Sequence, residues 1–438
     1  MLYVRLFYKY LYFRKIHLLH LENVPSDAPL MIVSNHQNGA CDVLSILLFI
    51  HRTDKTRKIR SVTRGDVMVN PVGNALMRWL GIVPAYRIAF EGEESLAKNA
   101  PMLEMIEEEL LNDGVVILFP EANHQTQRWF GWFSPRYLFV MLEAARKSNF
   151  EKEMYILPSC NHYNSYAGVQ DDTLIKYGTP IALSSWYKQY QEHPKATVRE
   201  INELVKQQIS GMMLNITDLK NYTAIDFLRK TYGVRFARKN QLNPSYLPDK
   251  LQADKELFAR LEASKTIHAE KVRKIYDDAL QWKEKTQKLG IFDWNSDERP
   301  GWKVIWQGLA GLLLLPVFIL SLLFNVLIFG IPMFINSKID DINVHCTINV
   351  PSAVLVGIPL TFITLFVVSW LLTGSVLAGL LCILISPLLS IFLCFYYKAG
   401  ERWMSRVRFL SLSQKTKTEW LSLQQRVYKA LDEIIFDI

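Results

Sequence analysis

Met31-Ile32-Val33-Ser34-Asn35-His36-Gln37-Asn38-Gly39-Ala40-Cys41-Asp42 is the stretch on which the reading of this chain turns. Its three apolar residues read as a strand and run straight into a loop that carries a histidine and, six positions later, an aspartate. Such a pair performs acid–base chemistry when the chain folds back on itself. The carboxylate accepts a hydrogen bond from one ring nitrogen, fixes the tautomer, and stabilises the imidazolium formed when the other nitrogen takes a proton. On a continuous helix, six positions leave the two side chains about 120° apart. Contact therefore requires a turn between them, and Asn38-Gly39 supplies one. A histidine near an aspartate is more often structural than catalytic, so the surroundings decide.

Outward from this stretch, short apolar runs alternate with helical patterns over residues 29–215. Lys58 to Val62, Val115 to Phe119, Tyr155 to Leu157 and Leu174 to Tyr177 read as further strands. Glu94 to Asn112 and Pro135 to Ser148 carry helix-spaced apolar positions, and Gly114 follows the first as a stop signal. The alternation implies an α/β fold, a mixed sheet covered by helices. Three strand-adjacent blocks add chemistry. Gly81-Ile82-Val83-Pro84-Ala85-Tyr86-Arg87 places an arginine just past a short apolar stretch. Phe119-Pro120-Glu121-Ala122-Asn123-His124 closes a strongly apolar strand with a carboxylate, and Ile156-Leu157-Pro158-Ser159-Cys160-Asn161 closes another strand.

With these blocks the chain resembles the glycerolipid acyltransferase superfamily, whose histidine–aspartate, Gly-to-Arg, Phe-Pro-Glu-Gly and apolar-Pro boxes occur in this order across roughly residues 20–190. Tyr177-Gly178-Thr179-Pro180-Ile181 also looks like the family's later Gly-x-Pro-Ile turn. The resemblance implies catalysis by His36 and Asp42, and a substrate-binding set of Asn35, Gly81, Arg87, Glu121, Asn123, His124 and Arg64. In that scheme His36 removes the proton from the acceptor hydroxyl, whose oxygen attacks an acyl thioester directly, while Asp42 orients the imidazole. The planar fork of Arg87 holds the acceptor phosphate, Glu121 positions the glycerol hydroxyls or Arg87, and Asn35 shapes the loop. Backbone N–H groups near Gly39 are candidates for holding the oxyanion. A thioester is already activated, so no metal, nucleotide or redox cofactor is expected. The donor is acyl-CoA or acyl carrier protein, and the acceptor glycerol 3-phosphate or its 1-acyl derivative.

The chain departs from the family pattern in places. The usual box has four residues between His and Asp, and here there are five, a spacing similar to the fungal branch that acylates glycerol 3-phosphate and dihydroxyacetone phosphate. That branch also carries its transmembrane segments after the catalytic domain. Ala122 stands where the box has Gly. Asn123-His124 replaces the Thr-Arg or Ser-Arg often seen, leaving Arg128 as a substitute phosphate ligand, and Arg64 stands where many relatives have lysine. Two other readings follow from these departures: a catalytically degenerate membrane scaffold of the same fold, or an acyltransferase for another lipid acceptor.

The remainder of the chain points to a bilayer. Residues 1–28 mix Tyr3, Phe7, Tyr8, Tyr10, Tyr12 and Phe13 with Arg5, Lys9, Arg14 and Lys15. They read as an interfacial N-terminal helix at headgroup level or a core helix capping the first domain, and not as a cleavable signal. Residues 216–303 are rich in charge and read as a polar helical spacer. Residues 304–397 are the membrane segment. No Asp, Glu, Lys or Arg lies between Lys303 and Lys338, nor in the 56 residues between Asp341 and Lys398, and a span takes about 20 residues. The second run holds two spans, about 350–372 and 375–397, turning at Thr373-Gly374. The first, interrupted by Pro316, Asn325 and Pro332, holds one span or dips in and returns. Basic flanks on both sides favour an even number of crossings with the catalytic domain on the cytoplasmic face. Residues 398–438 form a basic amphipathic tail with Trp420, Leu423, Val427, Leu431 and Ile434 on one stripe. The net charge of +8 fits an anionic lipid surface better than nucleic acid, because no aromatic stacking surface accompanies it. Five cysteines without a CxxC pair fit a reducing compartment and neither a disulfide framework nor a zinc site.

Overall fold

In the computed structural model of the chain, the described residues are 6–53, 57–64, 74–75, 78–79, 81–86, 94–121, 127–166, 168–291, 301–339 and 348–436. Among them, eight strands form one mixed sheet: β1 (Phe13–Leu19), β2 (Leu30–Ser34), β3 (Ile59–Arg64), β4 (Ile82–Ala85), β5 (Val115–Leu118), β6 (Tyr155–Tyr163), β7 (Asp171–Tyr177) and β8 (Ile181–Ala182). Their order is β1-β7-β6-β2-β5-β3-β4, with β8 also paired to β6. β2, β3, β4 and β5 run parallel, as do β2 with β6 and β1 with β7, whereas β6 is antiparallel to β7 and β8. Parallel strands at the centre of a sheet bury both faces, which is why every residue of β2 is apolar up to Ser34 and all five are buried.

Alternate residues of these strands build two cores. On one face Met31, Val33, Val116 and Ile156 pack under α2 (Glu94–Leu111), α3 (Arg136–Lys147) and, beyond the short α4 (Tyr187–Glu192), α5 (Pro194–Met212). On the other face Leu30, Ile32, Val115 and Ile117 meet Cys41, Leu44 and Leu47 of α1 (Ala40–Thr53). That second core also contains Phe7, Tyr8, Tyr12 and Phe13 from the N-terminus, and Ile328, Val350, Val354 and Ile358 from the apolar helices.

The N-terminal segment is therefore not the expected interfacial helix. Phe7–Tyr12 form a short wide helical turn, and the chain then enters β1. The aromatic rings turn inward because α1 offers them partners: the Tyr8 hydroxyl bonds the Cys41 carbonyl at 2.8 Å and Ser45 Oγ at 2.7 Å. Arg14 and Lys15 point outward from the edge strand. Of the two readings of this segment, core packing holds over the described part.

The charged region is likewise no spacer. α6 (Tyr222–Thr231), α7 (Gly233–Lys239), α8 (Leu247–Ile267) and α9 (Ala269–Lys288) share one apolar core with α13 (Gln414–Phe436) at the end of the chain. The stripe Trp420, Leu423, Val427, Leu431 and Ile434 is buried there, and Trp420 Nε1 donates to Thr286 Oγ1 at 2.9 Å.

Among the described residues, three helices are long and apolar enough to cross a membrane: α10 (Gly301–Asn336), α11 (Ile348–Thr373) and α12 (Val376–Ser411). Gly374, at φ +67°, makes the turn expected between the last two. An even number of crossings favoured a re-entrant or interfacial segment for the first apolar run. It is one continuous helix with Pro316 and Pro332 inside it. Asn325 does not force it out of an apolar phase, because its amide donates to the Ser321 carbonyl at 2.8 Å and accepts from Ser390 of α12. α12 runs alongside α10, with Tyr396 bonded to the Gly311 carbonyl and Trp403 to that of Val304. Where its charges resume, Lys398 Nζ donates to the Gln170 carbonyl beside β7 at 2.7 Å, joining the apolar helices to the sheet.

Candidate active site

The register of the parallel strands sets which residues meet. Ile32 lies opposite Ile117, Ile117 opposite Ser61, and Ser61 opposite Ile82. Continuing each strand by four residues brings His36, Glu121 and Tyr86 to one level at the carboxyl edge of the sheet. Open parallel sheets place their sites at this edge.

The five residues between His36 and Asp42 are absorbed by the turn that the spacing demanded. Gly39 takes φ +52°, α1 begins at Ala40, and Asp42 sits in its first turn. The carboxylate reaches back over the turn. Asp42 Oδ2 accepts from His36 Nδ1 at 2.9 Å, from the Gln37 N–H at 2.8 Å and from the Asn38 N–H at 2.7 Å. Oδ1 accepts from the Tyr163 hydroxyl at 2.7 Å. The Asp42 side chain is fully buried while that of His36 is 18% exposed, so the acid is sequestered and the imidazole is the accessible partner. The His36 ring stacks on Phe119, centroids 4.6 Å apart.

Glu121 is also buried. Its Oε1 accepts the backbone N–H of His36 at 2.9 Å and its Oε2 that of Gly131 at 3.0 Å. Burial pushes its pKa up to about 7, against the lowering effect of the Gly131 and His36 N–H groups. Tyr163 is held protonated, first by burial and then by the Asp42 charge.

The remaining expected residues divide. Arg87, Asn123 and His124 lie outside the described residues, and of Arg64 only the backbone at the end of β3 is described. The strand leading to Arg87 does end at the catalytic edge, and Asn99 of α2 fixes its last described residue, accepting from the Tyr86 N–H at 2.8 Å and donating to the Tyr86 carbonyl at 2.7 Å. Asn35 ties β2 to β6: its amide accepts the Asn161 N–H at 2.7 Å and donates to the Asn161 carbonyl at 3.0 Å. Gly81 precedes β4, five positions before Tyr86, at φ +77°, and a Cβ there would lie 2.4 Å from the Ile59 carbonyl oxygen. It is a packing glycine. Arg128 is no phosphate ligand, since its buried guanidinium bonds the Tyr163 and Asn164 carbonyls at 2.8 and 3.2 Å. The N–H groups of Gln37 and Asn38 are committed to Asp42 and are not oxyanion donors. Tyr163, absent from the sequence reading, stands two residues beyond Asn161 and so on the same face of β6, which was the available signal. Gly131 and Asn99 act by backbone contacts that no motif marks.

Residues 15–161 match the family model described as Acyltransferase. No curated protein matches the chain. Among solved structures, the chain is similar to the 1-acyl-sn-glycerophosphate (LPA) acyltransferase PlsC from Thermotoga maritima, at 16% identity over 45% of this chain and 73% of that one, with a TM-score of 0.31. The family match covers the histidine–aspartate loop, both clamping carboxylates and the strands that carry them.

Proposed function

We propose that this protein is a membrane-bound O-acyltransferase that moves a fatty acyl group from acyl-CoA or acyl carrier protein to a glycerol-phosphate acceptor, glycerol 3-phosphate or its 1-acyl derivative, in phospholipid synthesis. The observation that carries the reading is the 2.9 Å contact of His36 Nδ1 with Asp42. It is the contact that the long spacing put in question, and the scaffold reading drew its support from that doubt. His36 Nε2 takes the proton of the acceptor hydroxyl as the oxygen attacks the thioester carbonyl, and the carboxylate of Asp42 stabilises the imidazolium. Collapse of the tetrahedral species expels the thiolate, which recovers the proton from His36. Arg87, two positions after the last residue of β4 in the sequence, holds the acceptor phosphate, with Arg64, Asn123 and His124 as further contacts. The chemistry asks for no cofactor beyond the thioester.

The membrane role rests on the three apolar helices and on Ile328, Val350, Val354 and Ile358, which share a core with the catalytic helix α1. This packing supports a site that a lipid substrate reaches from the bilayer. The basic residues Arg402, Arg406, Arg408, Lys415 and Lys417 after the last apolar stretch favour the cytoplasmic face for the catalytic domain. The test is the purified protein in lipid nanodiscs, given palmitoyl-CoA or palmitoyl carrier protein with each acceptor in turn. Acyl ester formation with one acceptor of the pair is expected. Absence of transfer with every combination contradicts the proposal.

A further inference from the structure

The family resemblance has Glu121 position the glycerol hydroxyls or Arg87, yet both its oxygens are turned to backbone N–H groups on different loops. One belongs to His36, the other to Gly131. The segment before Gly131 is in turn pinned by residues at the start of the helical region. The Arg128 N–H donates to the Tyr222 hydroxyl at 2.8 Å, the Ile216 N–H to the Arg128 carbonyl at 2.7 Å, and the Phe130 N–H to Asn215 Oδ1 at 2.9 Å. A continuous chain of hydrogen bonds thus runs from Asn215 and Tyr222 through residues 128–131 and Glu121 to the backbone of the base.

Resting on the acyltransferase reading above, we propose that Glu121 is a positioning residue, a latch whose carboxylate fixes the His36 loop against a segment anchored by Asn215 and Tyr222, so that the helical region is part of the catalytic apparatus. A carboxylate suits the task because it accepts on both oxygens, whereas an amide accepts on one only. The groups facing it are His36 from the β2 loop and Asp42 from α1, together with the two N–H donors. Its raised pKa, about 7, means the latch is closed when the carboxylate is ionised and loosens as pH falls through neutrality.

The test uses the full chain, with kcat and acceptor KM measured for Glu121→Gln, Asn215→Ala and the double variant. Loss of one hydrogen bond to a charged group corresponds to about a 10–100-fold fall in kcat for Glu121→Gln, with acceptor KM within about two-fold of wild type. Asn215→Ala, remote from substrate, lowers kcat in the same sense. The double variant is expected to lose little more than Glu121→Gln, because both break one chain. Hydrogen exchange over residues 36–42, which needs no substrate, is expected to speed up in both single variants. A raised acceptor KM at unchanged kcat would make Glu121 a substrate ligand and overturn the latch, as would fully multiplicative losses or unchanged exchange. Failure of the wild type to transfer acyl groups would count against the functional reading instead, and the exchange data would still decide the latch.

Discussion

Replacing Asp42 by asparagine isolates the charge of the acid from its shape. The asparagine carbonyl can take the place of Oδ2 and keep the bonds from Gln37 N–H, Asn38 N–H and His36 Nδ1. Its amide nitrogen then occupies the place of Oδ1 and donates to Tyr163, whose hydroxyl rotates to accept. What disappears is the negative charge beside the imidazolium that forms in the transition state. With about 4 Å between charge centres and an effective dielectric near 20, that interaction amounts to about 4 kcal/mol, so kcat is expected to fall about 10²–10³-fold. Asp42→Ala is a different experiment. It strands two buried N–H groups and the Tyr163 hydroxyl, each costing about 1–3 kcal/mol, and is expected to destabilise the fold. The assay is kcat at saturating donor and acceptor together with thermal unfolding in detergent. Asp42→Asn is expected to keep the wild-type unfolding temperature within a few degrees and lose activity. A loss below about five-fold, against the charge interaction argued here, or destabilisation equal to that of Asp42→Ala, would refute the reasoning.

Three further expectations follow from the geometry. Raising the Glu121 pKa from the ordinary 4.5 to about 7 corresponds to about 3 kcal/mol. Because the folded-state pKa is raised, that stability is present below pH 4.5 and lost as pH rises to 7. Glu121→Gln, at a cost of about 1 kcal/mol for one lost hydrogen bond, is therefore expected to unfold at higher temperature than wild type at pH 8 and to lose that advantage near pH 5. Lower stability at both would contradict the assignment. Gly81→Ala, forced into left-handed backbone against the Ile59 carbonyl, is expected to cost more than about 2 kcal/mol while leaving acceptor KM unchanged. A raised KM without destabilisation would restore a binding role. Asn325→Leu removes the polar contact between α10 and α12 and is expected to lower resistance to denaturing detergent by about 0.5–2 kcal/mol. Unchanged resistance would show that the contact contributes nothing.

The candidate site was legible because its determinants are local. β2 and β5 are apolar on both faces, and the loop leaving β2 carries His36, Gly39 and Asp42 within seven residues, so the turn that joins them could be derived from spacing alone. The two apolar spans joined at Gly374 were equally plain, since length and absence of charge suffice. β1 was misread because aromatic and basic residues mixed over 7–15 suit a headgroup-level helix as well as an edge strand. Its partner β7 lies about 150 residues downstream, and only that pairing distinguishes the two. The helical region looked like a solvated spacer because its apolar positions, such as Leu251, Leu257 and Leu261, are thinly spread among charges. They make a core only with Trp420, Val427 and Leu431 from the far end of the chain. The role of Glu121 was hidden for another reason. Its partners are backbone N–H groups, which every residue but proline possesses.

The central claim is that the His36 imidazole takes the acceptor proton. It is tested most directly by measuring acyl ester formation from a radiolabelled thioester with wild type, His36→Ala and His36→Asn under identical conditions, each variant first shown to be folded. Loss of the base is expected to slow transfer about 10²–10⁴-fold while binding of the acceptor persists. Transfer by either variant at a rate within about three-fold of wild type, far short of what a general base contributes, would contradict the account.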